Sequence, residues 1–363
     1  MKVPVEEPIP LSSRKIRSLN GNPEKSAQAI HLLYVHDTDQ GIRRIKEGKH
    51  FRYLEKENTI IRDKAILNRI DSLRIPPAWK NVWICPVENG HLQATGYDTK
   101  NRKQYIYHSH WHSLRNQTKF YRLVQFGHAI PAIRLRIQKD LALPGMPVEK
   151  VLALVLNLME YTNMRVGNST YEKLYGSFGL TTLKNKHVHI AGSVLKFSFK
   201  GKKGVYHDIS VKNKRLAKIV KACRDIPGKE LFQYYTPEGV KKSIDSGMVN
   251  TYIKEITGDD FTAKDFRTWS GTLLAFHALL EAGSFESETE ARKKVVEVLN
   301  TVSQQLGNTR NVCKKYYVHP MLLSMYETGT LDKYFSQLQD VKENDPATRL
   351  SLEEEMMLKI LES

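Results

Sequence analysis

The second half of the sequence carries arginine, lysine and tyrosine residues that could together break a phosphodiester bond. They lie in four short segments: MRVGN at 164–168, FKGK at 199–202, KDFRTW at 264–269 and KKYY at 314–317. A fifth segment, LGNT at 306–309, shortly precedes the last of these. A tyrosine hydroxyl can attack phosphorus, although its ordinary pKa of about 10 requires positive charge nearby. Arginine suits the phosphoryl oxygens, because its planar guanidinium stays charged and reaches two acceptors. Lysine suits protonation of the leaving oxygen, since neighbouring cations lower its pKa. No step of this chemistry requires a metal ion.

In order and spacing, these segments resemble the active-site segments of type IB DNA topoisomerases, in particular the small poxviral and bacterial branch. Two segments of the first half are similar to the DNA-gripping domain of the same family: RIPPAW at 74–79, and GYD at 96–98 leading into RKQYIY at 102–107. Each segment alone is a weak signal. The whole set in the order of the family is specific, and it covers roughly residues 30–330.

The resemblance implies a role for each matching residue. Arg165 and Arg267 match the two arginines that clamp the scissile phosphate. Lys202 matches the lysine that protonates the 5′ oxygen, and Tyr317 matches the nucleophile that forms a 3′-phosphotyrosyl bond. Asn308, nine positions before Tyr317, stands where many relatives carry histidine. An amide can donate a hydrogen bond to a phosphoryl oxygen, but it cannot act as a general acid or base.

Neighbouring residues leave alternatives open in two of these segments. Tyr316 is adjacent to Tyr317, and the spacing favours Tyr317 as the nucleophile. Lys200 and Lys203 flank Lys202 in the same turn, so either could replace it as the acid.

A second group of residues is expected to contact DNA. By the same resemblance, Gln104, Tyr105 and Tyr107 face the major groove and the backbone around the cleavage site. Tyr105 and Tyr107 are two positions apart, so on a strand they share one face, although plain strand formation would also explain them. Arg102 would add a phosphate contact, and Tyr171 matches a tyrosine that touches the DNA backbone.

These residues require two lobes to position them. Strand candidates at 81–85, 91–95 and 103–107, with a helix at 63–72, predict an α+β N-terminal lobe with a small antiparallel sheet. Helical patterns from 110 onward predict a mainly α catalytic lobe, with a short β insert from 187 to about 211 and an acidic amphipathic helix at 351–361. The domains that we predict are a loosely ordered arm at 1–27, a DNA-gripping domain at 28–118 and a catalytic domain at 119–363.

The composition favours a polyanionic partner. Lys and Arg number 56 against 39 Asp and Glu, a formal net charge of +17, which favours nucleic acid over an anionic membrane. The sequence has no apolar run of about 18 residues and begins without a secretory pattern. Its three cysteines are scattered, which disfavours a disulfide framework or a structural zinc site. We therefore expect a cytoplasmic, nucleoid-associated protein that uses no cofactor.

A metal site is also not expected. His108, His110 and His112 have a spacing that fits one strand face, but no cysteine or paired carboxylate completes a ligand set. The same reasoning applies to His187 and His189.

The expected function is relaxation of supercoiled duplex DNA without ATP, by a monomer that closes on DNA as a clamp. A site-specific tyrosine recombinase is the nearest alternative, because it shares the same catalytic residue types. Recombinases usually carry histidine three residues before the second arginine, where this chain has Lys264. A noncatalytic basic DNA-binding protein would explain the charge but not the ordered segments.

Overall fold

The computed structural model of the chain describes Leu19 and residues 22–48, 50–99, 101–339 and 348–363. By their internal contacts the residues divide into two units, 1–121 and 122–363, and the boundary falls inside one long helix. The domain boundary predicted between residues 118 and 119 lies in the same helix. Most of the arm predicted at 1–27 lies outside the described residues.

The first unit is built around one antiparallel sheet. Its strand order is β2-β1-β3-β4-β5, and the described part of this unit also contains two short α-helices and the start of a long third helix. The elements are α1 (Pro23–Gln28), β1 (Ile42–Glu47), β2 (His50–Leu54), α2 (Lys64–Ser72), β3 (Lys80–Ile84), β4 (Leu92–Tyr97), β5 (Lys103–Tyr107) and α3 (Ser109–Leu141). The predicted sheet is therefore present, with two strands, β1 and β2, that the sequence patterns did not predict.

The end of the expected arm differs from the prediction. Asn22 caps α1 by accepting a hydrogen bond from the Lys25 backbone N–H at 2.8 Å, and Pro23 occupies the first turn. Ala27 then packs with Leu19 in a buried cluster. Local capping and this apolar contact order the segment, despite its polar composition.

The second unit is mainly helical and carries a three-stranded antiparallel sheet of order β6-β7-β8. Its elements are α4 (Val148–Thr162), α5 (Ser169–Tyr175), β6 (Val188–Ala191), β7 (Val194–Lys200), β8 (Tyr206–Lys212), α6 (Lys214–Arg224), β9 (Gln233–Tyr235), β10 (Lys241–Ser243), α7 (Ser246–Thr257), α8 (Ala263–Ala282), α9 (Glu288–Leu306), α10 (Arg310–Tyr316), α11 (Pro320–Glu327), α12 (Asp332–Gln339) and α13 (Leu352–Glu362). The predicted fold class, an α+β lobe followed by a mainly α lobe with a β insert, is confirmed. No helix in the described part of the chain is long and apolar enough to span a membrane.

Helix α8 is the central element of the second unit. It begins with a capping box, in which Thr262 and Asp265 each bond the backbone N–H of the other. The C-terminal helix α13 packs against it, because the buried Glu354 accepts a hydrogen bond from Trp269 Nε1 at 3.1 Å and pairs with Arg134 Nη2 at 2.8 Å. The acidic helix predicted at the C-terminus therefore packs against α8.

Candidate active site

Arg165 lies in an extended segment that follows α4. The helix ends at Asn163, which adopts a left-handed conformation with φ 55°. The Arg165 carbonyl then accepts a hydrogen bond from Leu180 N–H at 2.9 Å. A Cβ at Gly179 would lie only 2.6 Å from that carbonyl oxygen, so the two segments can cross only because Gly179 has no side chain. The backbone at Arg165 is therefore held by the end of α4 that precedes it and by the segment at Gly179 and Leu180 that crosses it.

Arg267 lies in the second turn of α8 and is 5% exposed. Its guanidinium donates to the Leu306 carbonyl oxygen at 2.8 Å and to the Asn163 carbonyl oxygen. These carbonyls belong to the C-terminal ends of α9 and α4, where helices leave acceptors without intrahelical partners. Arg267 thus joins three helices and is held rigidly by them.

Tyr317 follows the last residue of α10 and lies against Arg267. The Arg267 guanidinium carbon is 5.2 Å from the centre of the Tyr317 ring. The neighbouring Tyr316 instead lies 5.3 Å from Lys315 Nζ, measured to its ring centre. Of the two adjacent tyrosines, Tyr317 is the one beside the buried arginine.

Asn308 connects the Tyr317 region to Arg165. Its Oδ1 accepts a hydrogen bond from Arg165 Nη2 at 2.6 Å, and the Gly307 carbonyl lies 3.3 Å from the same nitrogen. Because Oδ1 is used by Arg165, the amide is oriented with Nδ2 as a donor. Asn308 Nδ2 is buried and has no hydrogen-bond partner among the described residues, and the same holds for Arg267 Nε. Buried donors of this kind are rare, and they suit an acceptor supplied by a ligand.

The two arginines form a site that favours an anion. Burial and the charge of Arg267 lower the pKa of Arg165 to about 10. Burial also lowers the pKa of Arg267, and this effect is opposed by the nearby Tyr317 hydroxyl. Both shifts mean that the charged forms are disfavoured by their surroundings. A phosphate between the two guanidinium groups would relieve this cost.

Lys202 lies in an exposed turn between β7 and β8. The turn is closed by the Gly201 N–H, which donates to the Val205 carbonyl oxygen at 2.7 Å. Lys202 Nζ lies 5.9 Å from the ring centre of Tyr171, which is 43% exposed on α5. The structure therefore brings the predicted acid next to the predicted DNA-contacting tyrosine of this unit.

The other predicted DNA-contacting residues lie on or beside β5 in the first unit. The rings of Tyr105 and Tyr107 stack with centres 5.9 Å apart, so they share one face of the strand. Arg102 Nε and Gln104 Nε2 both donate to the Asp98 carboxylate, at 2.6 and 3.1 Å. This carboxylate competes with any phosphate for both side chains.

The histidines whose spacing could fit a metal site make other contacts. His108 Nδ1 accepts a hydrogen bond from the His110 backbone N–H at 3.2 Å, and the His112 ring packs edge-on against Tyr107. His187 Nδ1 accepts from the Lys184 N–H at 3.0 Å. Within the described ranges, no three His, Cys, Asp or Glu side chains are grouped so that they could hold a metal ion.

Three residues that sequence reasoning missed shape this site. A Cβ at Gly271 in α8 would lie 2.8 Å from the Tyr317 carbonyl oxygen. The adjacent Thr272 hydroxyl bonds that same oxygen at 3.1 Å. The third residue is His207 on β8. A glycine in the middle of a helix is unfavourable, so Gly271 was the one detectable signal.

Comparisons with known proteins identify the family. The family profile described as "Eukaryotic DNA topoisomerase I, catalytic core" matches residues 108–344, and "Bacterial DNA topoisomerase IB, N-terminal domain" matches residues 50–98. The chain is 34% identical over 303 residues to "DNA topoisomerase 1B" of Acanthamoeba polyphaga mimivirus, covering 80% of this chain and 88% of that protein. It is 23% identical over 288 residues to "DNA topoisomerase 1B" of Vaccinia virus (strain Copenhagen), covering 77% and 88%. The buried Arg267 and the half-buried Arg165 lie in one cluster with Tyr317, an arrangement that suits phosphoryl transfer. The chain belongs to the type IB DNA topoisomerase family.

Proposed function

We propose that this chain relaxes supercoiled duplex DNA by transient cleavage of one strand through Tyr317. The observation that carries the proposal is the placement of Tyr317 against the buried Arg267, with Arg165 and the unpaired Asn308 donor in the same cluster. Every group needed to attack a phosphodiester and to stabilise the resulting charge is present in this cluster.

In the proposed step, the Tyr317 oxygen attacks the scissile phosphorus and becomes a 3′-phosphotyrosyl ester. The hydroxyl proton passes to solvent water as the oxygen–phosphorus bond forms. Arg165, Arg267 and Asn308 Nδ2 donate to the nonbridging oxygens as negative charge develops. Removing one positioned donor of this kind costs about 3–4 kcal/mol in comparable sites.

The bond from phosphorus to the 5′ oxygen breaks in the same step, and Lys202 gives that oxygen a proton. An alkoxide leaves poorly without protonation, so a positioned acid contributes about 10²–10⁴-fold. The exposed turn between β7 and β8 leaves Lys202 accessible to a bound strand. The phosphotyrosyl ester retains the energy of the original bond, so the 5′ hydroxyl can reseal the strand without ATP or metal. The free 5′ end can swivel before resealing, which releases supercoils of either sign.

The first unit is proposed to grip the duplex through β5. Tyr105 and Tyr107 present stacked rings on one face, while Arg102 and Gln104 would exchange Asp98 for DNA groups. We further propose that a monomer closes both units on the duplex as a clamp. A closed clamp should remain on circular DNA after a salt challenge but slide off linear DNA, and sedimentation should show one chain per complex.

A bacterial, cytoplasmic and nucleoid-associated setting is also proposed. The match of residues 50–98 to a bacterial N-terminal domain supports it, as do three buried free cysteines, which suit a reducing compartment. A fluorescent fusion at native expression level should follow the nucleoid; exclusion from it would contradict this setting.

Plasmid relaxation tests the proposed function. The protein should relax both positively and negatively supercoiled plasmid in EDTA without nucleotide, on DNA with no special site. A recombinase would need its own target sequence, and a noncatalytic binding protein would leave no relaxed circles after protease treatment. Either of those results would overturn the proposal.

A further inference from the structure

His207 is half-buried in the sheet that carries Lys202. It lies on β8 opposite Phe199 of β7, and the two rings stack with centres 5.1 Å apart. Phe199 is buried, so it fixes one face of the imidazole ring. The edge of the His207 ring is not covered by Phe199, so it can contact other segments at this end of the sheet.

Two glycines meet that ring edge, and each precedes a site residue. A Cβ at Gly201, the residue before Lys202, would lie 2.6 Å from His207 Cδ2 and Nε2. A Cβ at Gly307, the residue before Asn308, would lie 2.7 Å from His207 Cε1. Neither position could hold a side chain without moving the ring. The imidazole therefore fills the space between the Lys202 turn and the Asn308 segment.

The charges around His207 favour its neutral form. Burial lowers its pKa below the ordinary 6.5, and the positive charges of Arg165 and Arg267 lower it further. At neutral pH an uncharged ring can therefore pack near the two arginines without adding to their repulsion. Because the ring is rigid and uncharged, it separates the Lys202 turn from the Asn308 segment by a fixed distance.

We propose that His207 is a positioning residue, whose ring packs between Gly201 and Gly307 and thereby holds Lys202 in place relative to the phosphate-binding cluster. This inference rests on the proposed role of Lys202 as the general acid. In this role His207 acts through Lys202 and is not itself a catalytic residue. Its loss should affect the step that needs Lys202 far more than the steps that need the arginines.

A leaving group that needs no proton separates this role from ordinary packing. Single-turnover cleavage should be measured on two substrates, one with oxygen and one with sulfur at the 5′-bridging position of the scissile bond. A thiolate leaves with little protonation, because its conjugate acid is far stronger than an alcohol. The variants are His207→Ala, Lys202→Ala, Arg165→Ala and His189→Ala. The last is the matched control, an exposed histidine on β6 of the same sheet.

On the oxygen substrate, His207→Ala should cleave on the order of tenfold to a hundredfold more slowly, as a small misplacement of a catalytic group does. On the sulfur substrate it should stay within about threefold of the unsubstituted protein. Lys202→Ala should show the same rescue, Arg165→Ala should not, and His189→Ala should be normal on both. If His207→Ala does not fold, as judged by thermal unfolding, His207→Gln takes its place, with a smaller loss and the same rescue.

The outcomes distinguish the two proposals. If Lys202→Ala is rescued by sulfur but His207→Ala is equally slow on both substrates, His207 does not act through Lys202 and this inference is wrong. If Lys202→Ala is not rescued either, the acid role proposed for Lys202 is wrong, and the inference falls with it. Normal cleavage of the oxygen substrate by His207→Ala would also overturn it.

Discussion

The substitution Gly271→Ala should slow DNA cleavage without weakening DNA binding. Gly271 lies on α8, where an added Cβ would be 2.8 Å from the Tyr317 carbonyl oxygen and 2.9 Å from Tyr317 Cβ. Thr272 also bonds that carbonyl at 3.1 Å, so the backbone at Tyr317 is held against α8. The added methyl must push this backbone away, because the two nearest of the three atoms that it meets belong to the Tyr317 main chain or are bonded to it; the third, Leu306 Cδ1, is 3.1 Å away.

The size of the effect follows from these distances. Ordinary contacts begin near 3.4 Å, so the Tyr317 backbone must move by about 0.6 Å. A misplacement of about 1 Å can cost about a hundredfold in rate, so we expect a loss on the order of tenfold. Overpacking costs about 1–3 kcal/mol. Replacing a mid-helix glycine by alanine stabilises the helix by about 0.5–1 kcal/mol. The free energy of unfolding should therefore fall by roughly 0–2.5 kcal/mol, which leaves the protein folded.

The assay is single-turnover formation of the covalent protein–DNA adduct, beside equilibrium binding to duplex DNA. Gly247→Ala is the matched control, since Gly247 lies on α7 and a Cβ there would meet only the Asp245 carboxylate at 3.0 Å. If Gly271→Ala forms the adduct at the normal rate, α8 does not position the nucleophile. An equal loss of binding would show that the substitution acts on DNA affinity instead.

Three further predictions concern the nucleophile, the arginine pair and the C-terminal helix. Tyr317→Phe should abolish relaxation while DNA binding survives, because affinity comes mostly from phosphate contacts elsewhere; residual activity would point to another nucleophile. Arg165→Ala and Arg267→Ala should each slow cleavage by on the order of a hundredfold or more. Urea unfolding should show the larger loss of stability for Arg267→Ala, because Arg267 is the more buried of the two and its removal leaves the buried Leu306 carbonyl without a donor, at about 1–3 kcal/mol; equal losses would contradict that reasoning. Burial raises the pKa of Glu354, but its arginine partner outweighs burial and holds the pKa below the ordinary 4.5. The ion pair therefore stabilises the fold above about pH 4.5 and is lost as the pH falls through the lowered pKa. Glu354→Ala should lower the free energy of unfolding by about 3–5 kcal/mol at pH 7, and the exposed control Glu355→Ala should lower it far less. The difference between the two variants should disappear at acid pH; a difference that does not depend on pH would contradict the stabilising role of the ion pair.

The sequence predicted the elements with strong apolar patterns and missed those without. The helical pattern from residue 110 onward was evident from its apolar residues, and α4 is an example in which the structure buries most of them. Strands β1 and β2 were missed because most of their residues are charged or exposed, so their pairing depends on neighbouring strands rather than on their own pattern. The hairpin of β9 and β10 was missed for the same reason, since β10 is wholly exposed.

The site shows the same division between local and long-range information. Arg165, Lys202 and Arg267 were found because their segments carry a recognisable order. The contact of His207 with Gly307 joins residues that are far apart in the chain, and no local sequence pattern predicts it. Gly201 is near His207 in sequence, but their contact depends on the pairing of β7 with β8. Gly201 lies in a turn and Gly307 at the C-terminal end of α9, two places where glycine is common for local reasons alone.

The pairing of Arg102 and Gln104 with Asp98 could have been suspected from their spacing, but its strength could not. Both side chains share one carboxylate that is 13% exposed. A pair that is partly shielded from water competes with phosphate more strongly than a fully exposed one. Only the folded turn before β5 creates that shielding.

The most direct test of the central claim is the site of covalent attachment. Protein and duplex DNA would be mixed, denatured during turnover, digested with protease and nuclease, and the nucleotide-bearing peptide sequenced by mass spectrometry. The account predicts one nucleotide adduct, joined through its 3′ phosphate to Tyr317. Attachment at Tyr316, linkage through a 5′ phosphate, or relaxation with no adduct at any tyrosine would contradict it.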